Sequence, residues 1–274
     1  MAQSVWSRWL CGRRHARSAW FAIALAAMSL FGQAAHAACS GLIASGNPDY
    51  PPYLWRDPAN GNRLIGANAA LMTLLSQEIG LPIEVRYISS WARVQEEMKN
   101  GRIDLIAGAF LTQPRLDYMD YVHPIIATTR SVVITREDSR LKYAKWPDLV
   151  AHKGVTVINN SFGEAFDRYA KENLKIEEVG KLDNALQLLS HGRADYLVYE
   201  DAPARAFAAR LGIKHLKEAK ASISNEDLYL TLSHRSACND GAMRGKLAKA
   251  MMKFRDAKVM DGLIAEAIKA WQGQ

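Results

Sequence analysis

The chain has 274 residues, 49% of them hydrophobic and 23% charged, and its 35 Lys and Arg against 28 Asp and Glu give a formal charge of +7. The length suits one large domain or two modest lobes. The basic excess is local: Arg8, Arg13, Arg14 and Arg17 stand in a segment without a single acid, which leaves nucleic-acid binding without support.

Residues 1–37 read as an export signal. The four arginines precede an apolar run from Ala19 to Gly32, and Ala35-His36-Ala37 offers small residues where a signal peptidase cuts. The run is shorter than the roughly 20 residues a membrane-spanning helix needs. His36 stands where a lipoprotein signal would carry a branched apolar residue ahead of Cys39. Cleavage after Ala37 removes 37 of 274 residues and four of 35 basic ones, which leaves 237 residues with a nearly even charge. Of the three cysteines, Cys39 and Cys238 remain, and in an oxidising compartment they are most simply one disulfide.

Along the remaining chain, Gly41 to Ser45 reads as a strand. It runs into a proline-stiffened loop, Asn47 to Trp55, whose three aromatic rings are expected to offer faces outward. Gly66 to Ile79 carries apolar residues at helical spacing and stops at Gly80. Ile83 to Ile88 alternates as a strand, and Ser90 caps a helix from Trp91 to Asn100. Asp104 to Ala109 is a short apolar strand that breaks into Thr112-Gln-Pro-Arg115, where Pro114 suits the first turn of a helix. An arginine held off the end of such a strand can grip a carboxylate with two parallel bonds.

The β-branched run Thr128 to Thr135 reads as an extended segment leaving this first unit. Val155 to Ile158 is a buried strand by composition, and Ser161 is the expected cap of a helix from Glu164 to Glu172, whose free amides suit an anion. Asn184 to Leu189 is helical, and a strand follows that ends at Glu200-Asp201. Ile213 to Leu216 reads as a small strand and Asp227 to Ser233 as the return crossing. Met243 to Phe254 and Met260 to Trp271 close the chain as amphipathic helices. The fold class is therefore α/β. Gly101-Arg-Ile-Asp104 and Gly192-Arg-Ala-Asp195, each between a helix and a strand, suggest two similar lobes, and the two crossings suggest a hinge that closes on ligand. No histidine pairs at metal-ligand spacing, no glycine-rich phosphate loop follows a strand, and no Ser-His-Asp set assembles, so no catalytic residue, metal or cofactor is assigned.

The stretch GRIDLIAGAFLTQPRLDYMDYVHP, Gly101 to Pro124, resembles the signature of the family 3 solute-binding proteins: G-[KR]-x-D, a strand, T-x-x-R, then S-x-P-[YF]. The resemblance implies the two-lobed periplasmic binding protein fold, type II-like, with lobe 1 over 38–131 plus 230–274 and lobe 2 over 132–229. By this resemblance Arg115, with Thr112 of the same motif, clamps the ligand's α-carboxylate, and Ser161 supplies the second lobe's contact to it. Glu200, with Asp201 beside it, inherits the acid that meets the ligand's ammonium. Tyr50 matches the stacking tyrosine of the first loop, while Trp91, Phe110 and Phe162 are the expected apolar walls. Phe110 stands where the family carries Ser or Thr, Asn160-Ser161 where glycine is usual, and Asn47 where receptors for basic amino acids have an acid. The implied protein is periplasmic, monomeric and non-enzymatic, and hands its solute to the permease of an ABC importer. The same fold also serves membrane sensors and, in cyclohexadienyl dehydratase, a lyase in which Glu200 would be the general acid.

Overall fold

The computed structural model describes residues 39–274; the expected signal peptide and its cleavage site lie outside them. Eight strands form one sheet, in the order β5-β1-β6-β11-β7-β10-β8-β9. On one side β1 (Leu42–Ser45) pairs in parallel with β5 (Ile83–Val85) and β6 (Leu105–Phe110). On the other, β8 (Lys153–Val157) pairs in parallel with β9 (Lys175–Val179) and β10 (Tyr196–Glu200). Two 18-residue strands, β7 (Met119–Arg136) and β11 (Leu216–Ser233), run antiparallel through the middle and join the two halves. The molecule is two-lobed, and β7 and β11 are the crossing pair.

Parallel strands with both faces covered are apolar throughout, and the burial follows that rule. In the first lobe β1, β6 and the end of β11 are packed by α1 (Ala67–Ile79) and α6 (Gly241–Asp256), with Leu42, Leu71, Leu75, Leu105, Leu232 and Leu247 at the centre. On its other face α2 (Trp91–Lys99) places Val94 and Met98 against Ile106. In the second lobe α4 (Leu182–Ser190) and α5 (Asp201–Arg210) cover Val155, Leu197 and Tyr199. There α3 (Glu164–Asn173) buries Phe166 against Tyr196 and Val198. A disulfide joins Cys39 to Cys238 with an S–S distance of 2.10 Å, closing 199 residues of sequence.

Several expectations are corrected. The loop after β1 folds into β2 (Asp49–Tyr50) and β3 (Leu54–Arg56), which pair with β4 (Leu64–Ile65), and its rings turn inward: Tyr50, Tyr53 and Trp55 are all buried. Trp55 packs on Ala67, Ala267 and Trp271, because the C-terminal helix α7 (Val259–Gln272) covers it. The strand expected to reach Ile88 stops at Val85. No separate strand forms at Ile213 to Leu216: β11 starts at Leu216 and runs unbroken into the return crossing, since residues 217–226 lack an apolar run yet pair with β7 through several register shifts. β9 is an edge strand whose Glu177 and Glu178 are exposed, the charged composition that keeps an edge from pairing further. Ser161 does not cap α3. Gly163 holds the cap position at φ 90°, and Asp167 reaches back from the helix to accept from the Phe162 amide at 2.9 Å and the Ser161 hydroxyl at 2.5 Å.

Candidate functional site

β6 ends at Phe110, and the chain turns through Thr112 into a short 3₁₀ helix, Gln113–Asp117, with Pro114 in its first turn. This tight turn folds Arg115 back beneath the strand end, where it is only 6% exposed. Its Nη1 donates to the Phe110 carbonyl at 3.0 Å and its Nη2 to the Asn159 carbonyl at 3.4 Å, and the guanidinium lies 5.3 Å from the centre of the Trp91 ring. Among the described residues no carboxylate comes within 4 Å of it. A buried cation bonded only to neutral oxygens retains an uncompensated charge, which favours an anion nearby.

Across the cavity, β10 runs out at Glu200, whose backbone opens α5. Glu200 is 2% exposed, and its Oε2 has no hydrogen-bonding partner. Burial pushes its carboxyl up to about 8; its own backbone, the neighbouring Asn160 amide and Arg115 offset only part of that. The Asn160 Nδ2 lies close without reaching hydrogen-bond geometry to any acceptor. A carboxyl in this position is neutral at pH 7 until a cation comes to it.

Arg115 and Glu200 line one cavity together with Tyr50, Trp91, Phe110 and Asn160. Asn47, Gly108, Ala109 and Leu228 complete it, and its walls close on a free volume of only about 20 Å³, roughly the room one water needs. The Tyr50 hydroxyl is buried without a partner, and burial followed by the Glu200 charge raises its pKa. Outside the cavity the Asn159 carbonyl collects three donors: Trp91 Nε1 at 3.1 Å, Gln95 Nε2 at 3.2 Å and the Arg115 bond already described. Asn159 has φ 59°, and this left-handed backbone, which Asn tolerates better than most residues, aims its carbonyl at the first lobe.

Of the residues expected at the site, Arg115, Glu200, Tyr50, Trp91 and Phe110 meet in the cavity. Thr112 and Ser161 do not line it; they face an outer cleft beyond Arg115, where Asp167 engages the Ser161 hydroxyl. Phe162 is packed in the second lobe's core, its ring centroid 6.2 Å from that of Phe166. Asp201 turns away to ion pairs with Arg130 and Arg205, each at 3.4 Å, so of the two adjacent acids Glu200 is the one that faces the cavity. Asn160 and Leu228 were not expected at the site. An Asn-Asn pair after a strand signals a left-handed turn, but nothing local marks Leu228, which the crossing strand brings in.

Two lobes on a pair of long strands, with a buried unpaired guanidinium and a buried carboxyl facing one cavity between them, define a ligand-binding protein of the periplasmic type. The chain belongs to the bacterial extracellular solute-binding proteins, family 3, whose model matches residues 42–274. It is similar to the L-cystine-binding protein TcyA of Bacillus subtilis (strain 168), with 22% identity over 228 residues, 82% of this chain and 78% of TcyA. Among solved structures, a mutant of ArgBP from T. maritima superposes with a TM-score of 0.70 at 20% identity, over 84% of this chain and 96% of that one. The amino acid ABC transporter substrate-binding protein AbpA from Streptococcus pneumoniae, bound to L-arginine, gives 0.70 at 20% over 85% and 96%. A histidine kinase sensor domain with similarity to periplasmic binding proteins gives 0.71 at 21% over 82% and 95%.

Proposed function

We propose that this protein captures an amino acid between its lobes and delivers it to the permease of an ABC importer, acting in the periplasm as a monomer after loss of residues 1–37. One observation carries the reading: a buried guanidinium without an acid partner faces a buried carboxyl with a free oxygen across one cavity. A zwitterion answers both needs at once, its carboxylate meeting Arg115 and its ammonium meeting Glu200. TcyA, named for binding L-cystine, and AbpA, an amino acid ABC transporter substrate-binding protein, support the same class of solute. The lobes are taken as 38–131 with 230–274 and 132–229, meeting at β7 and β11. Calorimetry with the twenty amino acids tests the proposal, and a protein that binds none of them refutes it.

The likeness to a histidine kinase sensor domain favours a second reading, in which the loaded protein is read by a membrane sensor. Crosslinking in whole cells separates the two by whether a permease or a kinase is captured. A lyase role would use the Glu200 proton as general acid; unchanged solute after long incubation counts against it.

A further inference from the structure

Resting on the amino-acid reading above, we infer that the solute's side chain is uncharged, so that this chain takes neutral amino acids and rejects basic and acidic ones. The warrant is the charge inventory of the cavity. Among the described residues its only charged lining groups are Arg115 and Glu200, and the zwitterion's own carboxylate and ammonium engage both. The remaining walls are neutral: Asn47, Tyr50, Trp91, Phe110, Asn160 and Leu228.

Nearby acids lie outside this lining. Asp201 is paired with Arg130 and Arg205, and Asp49 sits by the start of α4, against the Leu182 amide and near Lys181 and Arg210. Asp167 holds the Ser161 hydroxyl and the Phe162 amide. Glu226 lies against Gly163, close enough that a Cβ there would meet its carboxylate at 2.1 Å. The charged groups of the outer cleft, Lys99, Glu164, Arg168 and Lys171, stand beyond the clasp in which Trp91, Gln95 and Arg115 hold the Asn159 carbonyl. A guanidinium or second carboxylate on the ligand would therefore be buried with no counter-ion.

Hydrogen bonding points the same way. Asn47 is already engaged, its Oδ1 accepting from the Asp49 amide at 3.0 Å and its Nδ2 donating to the Tyr199 hydroxyl at 3.2 Å. Of the buried lining atoms without partners, Glu200 Oε2 is left to the ammonium, while the Tyr50 hydroxyl and the Asn160 amide nitrogen remain for the side chain. Both suit a hydroxyl or carboxamide, as in serine, asparagine or glutamine.

The test is calorimetry of the dialysed protein with alanine, serine, asparagine, glutamine, lysine, arginine, aspartate, glutamate and cystine. The neutral set is expected to bind, with the charged side chains and cystine at least about 100-fold weaker. Asn47→Asp adds a second acid to the lining at nearly unchanged shape, and should raise lysine or arginine affinity at least about tenfold relative to serine. Wild-type binding of arginine or lysine as tight as the best neutral amino acid overturns the inference while leaving the amino-acid reading intact. A folded Asn47→Asp variant with unchanged preference also counts against it. Binding of no amino acid overturns the reading itself, and this inference with it.

Discussion

Replacing Arg115 by alanine should abolish tight solute binding while leaving the fold standing, and the structure says why the two effects separate. Loss of one partner of a buried, hydrogen-bonded charge pair costs about 2–5 kcal/mol, or about 30-fold to several-thousand-fold in affinity. The same truncation removes two hydrogen bonds from the unliganded protein, yet neither acceptor is orphaned. The Phe110 carbonyl keeps the Tyr121 hydroxyl at 2.8 Å, and the Asn159 carbonyl keeps Trp91 and Gln95. The variant also loses a buried charge that has no acid beside it, which offsets part of the lost packing against Trp91. The net change in unfolding free energy should therefore stay within about 2 kcal/mol. Calorimetry reads the first effect and urea unfolding the second. Wild-type affinity in a folded Arg115→Ala protein would refute the carboxylate role, and a variant that fails to fold would refute the account of its hydrogen bonds.

Four further predictions rest on the same geometry. Because the Glu200 carboxyl is raised to about 8 from an ordinary 4.5, a zwitterion binding at pH 7 should release close to one proton and bind more tightly as pH climbs to 8, seen by calorimetry in buffers of different ionisation enthalpy. The same group favours the fold below about pH 4.5 and loses that contribution as pH rises through 8, so Glu200→Gln should gain stability relative to wild type between denaturation curves at pH 5 and pH 8. Reducing the Cys39–Cys238 bridge opens a 199-residue separation and should cost on the order of 5 kcal/mol, or roughly 10–20 °C in Tm; an unchanged melting curve with both thiols alkylated would oppose it. Trp271→Ala should cost about 2–4 kcal/mol by denaturation, because its ring touches Trp55 at 5.3 Å and Phe207 at 5.4 Å while its Nε1 donates to the Ala206 carbonyl at 3.2 Å.

The second and fourth of these perturbations bear on one structural link. Ala206 and Phe207 lie on the helix that Glu200 opens, and Trp55 follows the loop that carries Tyr50. The C-terminal helix thus ties together the elements that bring the acid and the tyrosine into the cavity. Nothing in the local sequence around Trp271 announces that task, since an aromatic at the end of an amphipathic helix reads simply as core.

The sequence by itself determined the α/β class, the order of most elements, the disulfide and the strand-to-turn passage that places Arg115. Each rests on a local signal: apolar periodicity, a helix stop at glycine, proline in a first turn, or two cysteines in an exported chain. It was less able to see β9 and the middle of β11, whose charged stretches become strands because a neighbouring strand supplies their hydrogen bonds. Only the tertiary structure decided between Glu200 and Asp201, since adjacent residues at a strand end point opposite ways and only one direction leads to the cavity. It likewise sent Phe162 into the core, engaged Ser161 with Asp167 and brought Leu228 into the wall. Those outcomes depend on which atoms meet across the two lobes, and a burial shared between segments up to 181 residues apart, Asn47 to Leu228 at the extreme, leaves no periodic trace in either one.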